Sequence, residues 1–308
     1  MNYNICIIKP KNYPHSDAFW ELAELLTYSL RDLENDVVMC ISEIFANRQN
    51  ILFGAHLLTD FDLPPSTIIF NTEQLSKGSE KWVQRIIDLG KKYIIVDYDD
   101  NNIKFLQQNG CKKVHKFQIG FHEKLNRIPH RKNKDIDVLF YGSAKERRRN
   151  LLNEISNSGL KVKHLFGVYG AQRDEYISRA KIVLNCHHFE AKIFEIVRVH
   201  YLVNNNIPVV SELHPETKIE PFWSSIITGV QFENIAAECK KLSNDESIRK
   251  QSSEFAFNKF QEKSQSVFTK ELIKEKKDKN LNYLDGELFQ MKLFYDRILT
   301  DDDYLLKK

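Results

Sequence analysis

Ile136-Asp-Val-Leu-Phe-Tyr141 runs into Gly142-Ser143, and Val162-Lys-His-Leu-Phe166 into Gly167-Val-Tyr-Gly170. Ile182-Val-Leu-Asn185 runs into Cys186-His-His-Phe-Glu190, and Ile207-Pro-Val-Val210 into Ser211-Glu212. Each apolar run is short, and helical patterns separate one from the next. That alternation predicts a parallel sheet with crossover helices. Polar residues crowd the end of every run. In such sheets ligands bind outside the carboxyl ends of the strands, so one stretch predicts a fold and a site together.

The first half repeats the alternation less cleanly. Asn4-Ile-Cys-Ile-Ile8, Asp36-Val-Val-Met-Cys40, Asn50-Ile-Leu-Phe53, Thr67-Ile-Ile-Phe70, Lys92-Tyr-Ile-Ile-Val96 and Lys113-Val-His-Lys-Phe-Gln118 read as strands. Helical spacing marks Asp17 to Leu33, where Ser16 or Asp17 could cap the helix, then Glu80 to Leu89 and Asn102 to Asn109. The basic stretch His122 to Lys134, with Pro129 inside it, reads as a linker. We therefore expect an α/β chain of two Rossmann-like, doubly wound domains facing a cleft. The expected parts are residues 1–130, residues 131–270 and a helical carboxy-terminal extension at 271–308. In that extension Lys274-Glu-Lys-Lys-Asp-Lys279 reads as a solvated face. The stripe Leu281, Leu284, Leu288, Met291, Leu293, Phe294 reads as a packed helix.

Composition agrees with a soluble globular protein of this size: 308 residues, 42% hydrophobic and 28% charged. A net charge of +3 makes no case for a nucleic-acid partner. Five cysteines without CxxC spacing suit a reducing compartment and speak against a disulfide framework or a zinc site. The amino terminus enters a strand directly, and no apolar run reaches membrane-spanning length. The expected location is the cytoplasm, with room for a peripheral membrane contact.

Two such domains with a helical end resemble the GT-B glycosyltransferases. The resemblance rests on Asp137-Val-Leu-Phe-Tyr-Gly-Ser143, Arg147-Arg-Arg149, Tyr169-Gly170, Ala180-Lys-Ile-Val-Leu-Asn-Cys-His-His188, Phe194-Glu-Ile-Val-Arg198 and Pro208-Val-Val-Ser-Glu212. These look like the nucleotide-sugar half of bacterial-type surface-polysaccharide transferases, including those related to spore-coat CgeB proteins. Gly54-Ala-His56 and Asn71-Thr-Glu-Gln-Leu75 resemble the acceptor half. The match covers roughly residues 1–270, and the order of its pieces carries it. Retaining enzymes of this fold commonly carry Glu-x7-Glu; counting on from Glu195 lands on Val203. The expectation is an inverting enzyme.

The chemistry asked of such a site is stabilisation of a departing phosphate, which backbone N–H groups, helix dipoles and arginine can supply without metal. Gly142, Ser143, Tyr169 and Gly170 stand where backbone could approach phosphate, although Gly142 could equally be a simple tight turn. Of Arg147–Arg149 at least one is simply solvated; we favour Arg148, with Arg147 as the alternative, and Arg198 reaches in from another helix. Glu195 could accept both ribose hydroxyls, or could merely pair with Arg198 one helical turn away. One of His187 and His188 should face the site; His188 and Glu212 complete the expected nucleotide contacts. No metal is expected. Asp97-Tyr-Asp99 reads as a strand-end turn, with a metal site as its alternative.

An inverting transfer also needs a base near the acceptor hydroxyl. Glu73 and His56 are the expected catalytic residues, with His15 and Asp17 also placed at strand ends. Glu73 would gain from partial burial, and His56 would need no shift. No cofactor is expected beyond the nucleotide-sugar co-substrate, and the acceptor would be a glycan or another hydroxyl compound. Two other readings compete. A different nucleotide-dependent Rossmann enzyme is disfavoured because Lys9-Pro-Lys-Asn-Tyr-Pro stands where a G-x-G-x-x-G would follow the first strand. A non-catalytic glycan-binding protein on a degenerate transferase fold is the other.

Overall fold

The computed structural model describes residues 1–59, 62–75, 79–187, 193–277 and 290–292. The chain divides into two compact units: Met1–Ile119 with the segment from Gln265 onward, and Gly120–Ser264.

Unit 1 opens with β1 (Asn2–Ile7), α1 (Trp20–Asp32), β2 (Asp36–Ile41), β3 (Glu43–Phe45) and β4 (Gln49–Phe53). It continues with β5 (Ile68–Phe70), α2 (Glu80–Lys92), β6 (Ile94–Asp97), α3 (Asp100–Gln108) and β7 (Val114–Lys116). Six strands form one parallel sheet in the order β2-β1-β4-β5-β6-β7. Ile5, Ile7, Leu52, Phe53 and Ile95 are buried, as expected of strands covered on both faces. Two local expectations need correction. The segment Pro14–Phe19 is a short 3-10 helix, and α1 starts only at Trp20 without a side-chain cap. Ser16 donates instead to the Ile8 carbonyl, and Asp17 pairs with Lys9.

Unit 2 runs β8 (Ile136–Tyr141), α4 (Glu146–Asn157), β9 (Val162–Leu165), α5 (Gly170–Arg179) and β10 (Ala180–Asn185). Then follow α6 (Ile196–Asn204), β11 (Val209–Glu212), α7 (Pro221–Ile226), β12 (Thr228–Val230), α8 (Ile235–Asn244) and α9 (Glu246–Gln261). Its five strands are parallel in the order β12-β11-β10-β8-β9. A core of Val138, Phe140, Leu151, Ile155, Ile182, Leu184, Val210, Ile235 and Cys239 lies under α4 and α8. The stretch read as a linker is tied onto this unit. Asn204 accepts from the His122 N–H, and Asn205 accepts from those of Arg127 and Ile128.

The chain returns to unit 1 as α10 (Gln265–Lys277), which meets α1 through the Ser29–Thr269 hydroxyl contact at 2.8 Å. Gln290–Lys292 then forms β13, antiparallel to β3. The carboxy terminus is therefore not helical throughout: Met291, read as part of a helical stripe, sits in a strand. Leu281, Leu284, Leu288, Leu293, Phe294 and the last two residues of the charged run, Asp278 and Lys279, lie outside the described residues. No described helix is long and apolar enough to cross a membrane.

Candidate functional site

Strand order reverses once in each sheet: between β8 and β10 in unit 2, and between β1 and β4 in unit 1. At such a switch point the crossovers leave in opposite directions and open a crevice at the strand ends.

At the unit 2 switch point, β8 ends in Tyr141-Gly142-Ser143 and β10 in Asn185-Cys186-His187. Gly142 has φ +127°, and a Cβ there would stand 3.1 Å from Arg198 Nη2, so glycine is required for two reasons. Arg198, in the first turn of α6, donates from Nη1 to Asn185 Oδ1 at 2.7 Å. Its Nε is buried and has no hydrogen-bond partner among the described residues. Glu195 occupies the N-cap position of α6, where Oε2 contacts His187 Nδ1 at 3.0 Å and accepts from Asn185 Nδ2 at 3.2 Å. Glu195 Oε1, 3.6 Å from Arg148 Nη2, is likewise buried without a hydrogen-bond partner among the described residues. Burial pushes the Glu195 carboxyl up, but the His187 hydrogen bond and the charges of His187, Arg198 and Arg148 outweigh it and leave it below its ordinary value. The ion pair within α6 that competed with the ribose reading does not form as a hydrogen bond, because Arg198 turns to Asn185.

Two expected contacts, Arg148 and Glu212, are held by protein partners. Arg148 is only 4% exposed. Its N–H groups bind the backbone carbonyls of Ser143 at 2.8 Å, His187 at 3.2 Å and Cys186. It ties the β8 loop to the β10 end, which leaves Arg147 as the more accessible cation. Arg147 forms a fork with Glu212, at 2.9 and 2.5 Å, and lies 3.6 Å over the Phe232 ring. Glu212 also accepts from the His187 N–H at 2.9 Å, so this buried carboxylate serves as counter-ion to Arg147. His187 lies here, between Glu195 and Thr217 Oγ1; His188 lies outside the described residues. Tyr169 stands at the N-cap position of α5 without a side-chain cap, Gly170 opens the helix with φ +55°, and Arg173 in its first turn lies 5.5 Å over Tyr141. Arg173 and Asn185 were not singled out as site residues from sequence, although Asn185 ends a strand run; His187 was offered only as one of an adjacent pair.

In unit 1, Gly54 with φ +76° turns the chain after β4 and puts His56 at the switch point. Nε2 of His56 is 3.6 Å from Glu73 Oε1, so two residues seventeen apart in sequence come together. His56 is buried between Phe19 and Trp82, and Arg85 donates to its carbonyl. Burial, with help from Arg85, drives its pKa down to about 3. This corrects the expectation that His56 needs no shift: burial favours its neutral form. Glu73 keeps a side-chain exposure of 27%. Asp17 is paired with Lys9, and His15 packs edge-on to Tyr13. Among the described residues no group of three or more His, Cys, Asp or Glu could hold a metal ion.

No protein-family model matches the chain. An uncharacterized protein of Acanthamoeba polyphaga mimivirus is 30% identical over 157 residues, 47% of this chain and 48% of its own length. A second from the same virus is 29% identical over 166 residues, 50% of this chain and 22% of its own. The chain thus spans about half or less of the length of these relatives. Among solved structures, Anabaena HepE in complex with UDP-glucose superposes with a TM-score of 0.56 at 9% identity, covering 89% of this chain and 99% of HepE. WaaG, a glycosyltransferase involved in lipopolysaccharide biosynthesis, gives 0.54 at 10% identity over 93% and 100%. Sucrose-phosphate synthase from Thermosynechococcus elongatus gives 0.51 at 9% identity over 90% and 98%. The chain has the two-domain α/β fold of the GT-B glycosyltransferases.

Proposed function

We propose that this protein is a glycosyltransferase that moves a sugar from a nucleotide-sugar donor to a glycan or another hydroxyl acceptor, with inversion and without a metal. One observation carries the reading. At the unit 2 switch point a buried guanidinium N–H (Arg198 Nε) and a buried carboxylate oxygen (Glu195 Oε1) both lack hydrogen-bond partners among the described residues. Buried polar groups are nearly always satisfied, and these two complement a phosphate and a hydroxyl. Arg198 Nε and Nη2 form the edge that grips phosphate bidentately, and Arg147 and the α4 and α5 N-termini add positive potential. Glu195 Oε1 would accept from a ribose hydroxyl.

In the proposed step the acceptor oxygen attacks the anomeric carbon while its proton passes to the Glu73 carboxylate. The bond from that carbon to the phosphate oxygen breaks, and its electron pair leaves on the nucleotide. Arg198 and Arg147 meet the charge that develops there. Assembly of a polysaccharide in the cytoplasm belongs to the same reading.

A thermal-shift panel of UDP, GDP, CMP, dTDP and NAD tests it. A nucleotide at about 100 times its Kd adds about 2.7 kcal/mol of stability. A shift with one of the first four is expected. A response to NAD alone, or to none, would sink the proposal.

A further inference from the structure

We propose that Asp97, Asn71 and Asn102 are positioning residues that hold the backbone of Glu73; the inference deepens the reading of Glu73 as the base and rests on it. Asp97 ends β6 wholly buried. Its Oδ2 accepts from Asn71 Nδ2 at 2.6 Å, and its Oδ1 from the Asp99 N–H at 2.8 Å. The Asn71 amide brackets Glu73: Nδ2 also donates to the Glu73 carbonyl at 3.0 Å, and Oδ1 accepts the Glu73 N–H at 3.2 Å. Asn102 donates to the same carbonyl at 2.8 Å and accepts from the Leu75 N–H at 3.0 Å. Asp99 caps α3 and fixes Asn102, and the Tyr98 hydroxyl donates to the Thr72 carbonyl at 3.2 Å.

Segment 71–75 therefore leaves the sheet and is clamped from the β6–α3 turn. The direction of the Asn71 amide is decided by its neighbour. Nδ2 lies 2.6 Å from Asp97 Oδ2, which leaves Oδ1 for the Glu73 N–H. An uncharged amide at 97 would permit either orientation. Asp97-Tyr-Asp99, whose letters suggested a metal site, is accounted for as this clamp.

The test swaps the polarity. Asn71→Asp sets two carboxylates together and removes the donor to Glu73. The double variant Asn71→Asp with Asp97→Asn restores the contact in reverse and keeps an acceptor for the Glu73 N–H. Amide hydrogen exchange over 71–75 should quicken at least about tenfold in Asn71→Asp and return to within about threefold in the double variant. UDP-glucose turnover, read as UDP release, should fall and recover in parallel while UDP affinity stays level. Unchanged exchange in the single variant, or no recovery in the double, overturns the frame whatever the turnover. If exchange behaves as expected but Glu73→Gln turns over like the parent, the frame stands and the base assignment falls.

Discussion

The two switch points share a topology and differ in how they handle charge. In unit 2, Arg147, Arg148 and Arg198 meet Glu195 and Glu212 around the ends of β8, β10 and β11, and two charged atoms there have no hydrogen-bond partner among the described residues. In unit 1 the described contacts of Glu73 include a histidine favoured neutral by burial and the amides of Asn71 and Asn102, with the buried Asp97 carboxyl behind them. Burial raises Asp97 to about 7, while the hydrogen bonds from Asn71, Asp99 and Asn102 pull it back. The contrast separates binding an anion from taking up a proton. The first needs fixed positive charge, and the second needs a carboxylate within reach of the acceptor hydroxyl.

The largest expected effect tests the buried carboxyl of unit 1. A carboxyl raised from 3.8 to about 7 stabilises the fold fully below the lower value and loses that contribution as pH rises through the upper one. Asp97→Asn does not titrate, so it should gain on the parent by a few kcal/mol between about pH 4 and pH 8, read by denaturant melts. A pH-independent difference would show that Asp97 ionises normally.

Next comes the division of labour. Glu73→Gln should lower turnover about 10²-fold or more and leave nucleotide affinity level, since an amide nitrogen cannot take the acceptor's proton. Arg198→Ala should do the reverse at unit 2, weakening UDP binding by roughly 1.5–3 kcal/mol in calorimetry. Equal losses of affinity in both variants would erase the comparison. Glu195→Ala should cost at least about 1 kcal/mol of UDP affinity with the fold intact. Unchanged affinity would make Glu195 a counter-ion, as Glu212 is.

The smallest effect sharpens the roles inside unit 1. His56→Asn should change turnover only a few-fold, and the acid limb of the pH profile should not move, because a histidine near pKa 3 does not titrate there. If His56→Asn is inactive while Glu73→Gln is not, the two residues exchange roles.

Much of the fold was legible in local pattern. Strand runs such as Val138–Phe140 and Ile182–Leu184 are continuous and apolar because both faces are covered, and that needs no tertiary information. The short edge strands β3 and β12 were missed: Glu43–Phe45 and Thr228–Val230 have too few residues to show a period. At the site, strand and helix ends alone put Gly142, Glu195 and Arg198 where they lie. Arg147 and Arg148 could not be told apart, because adjacent arginines look alike until burial separates them.

By itself the sequence determined the alternation of strands and helices, and with it the parallel sheets and the ends where polar residues gather. Periodicity and turn chemistry are local, so each segment carries them alone. Only the tertiary structure decided which polar residues are free to act. It spent Arg148 on three carbonyls, turned Glu212 to Arg147, removed the charge of His56 by burial and brought Glu73 to it. Hydrogen-bond partners and desolvation come from residues far apart in the chain, and no single segment encodes them.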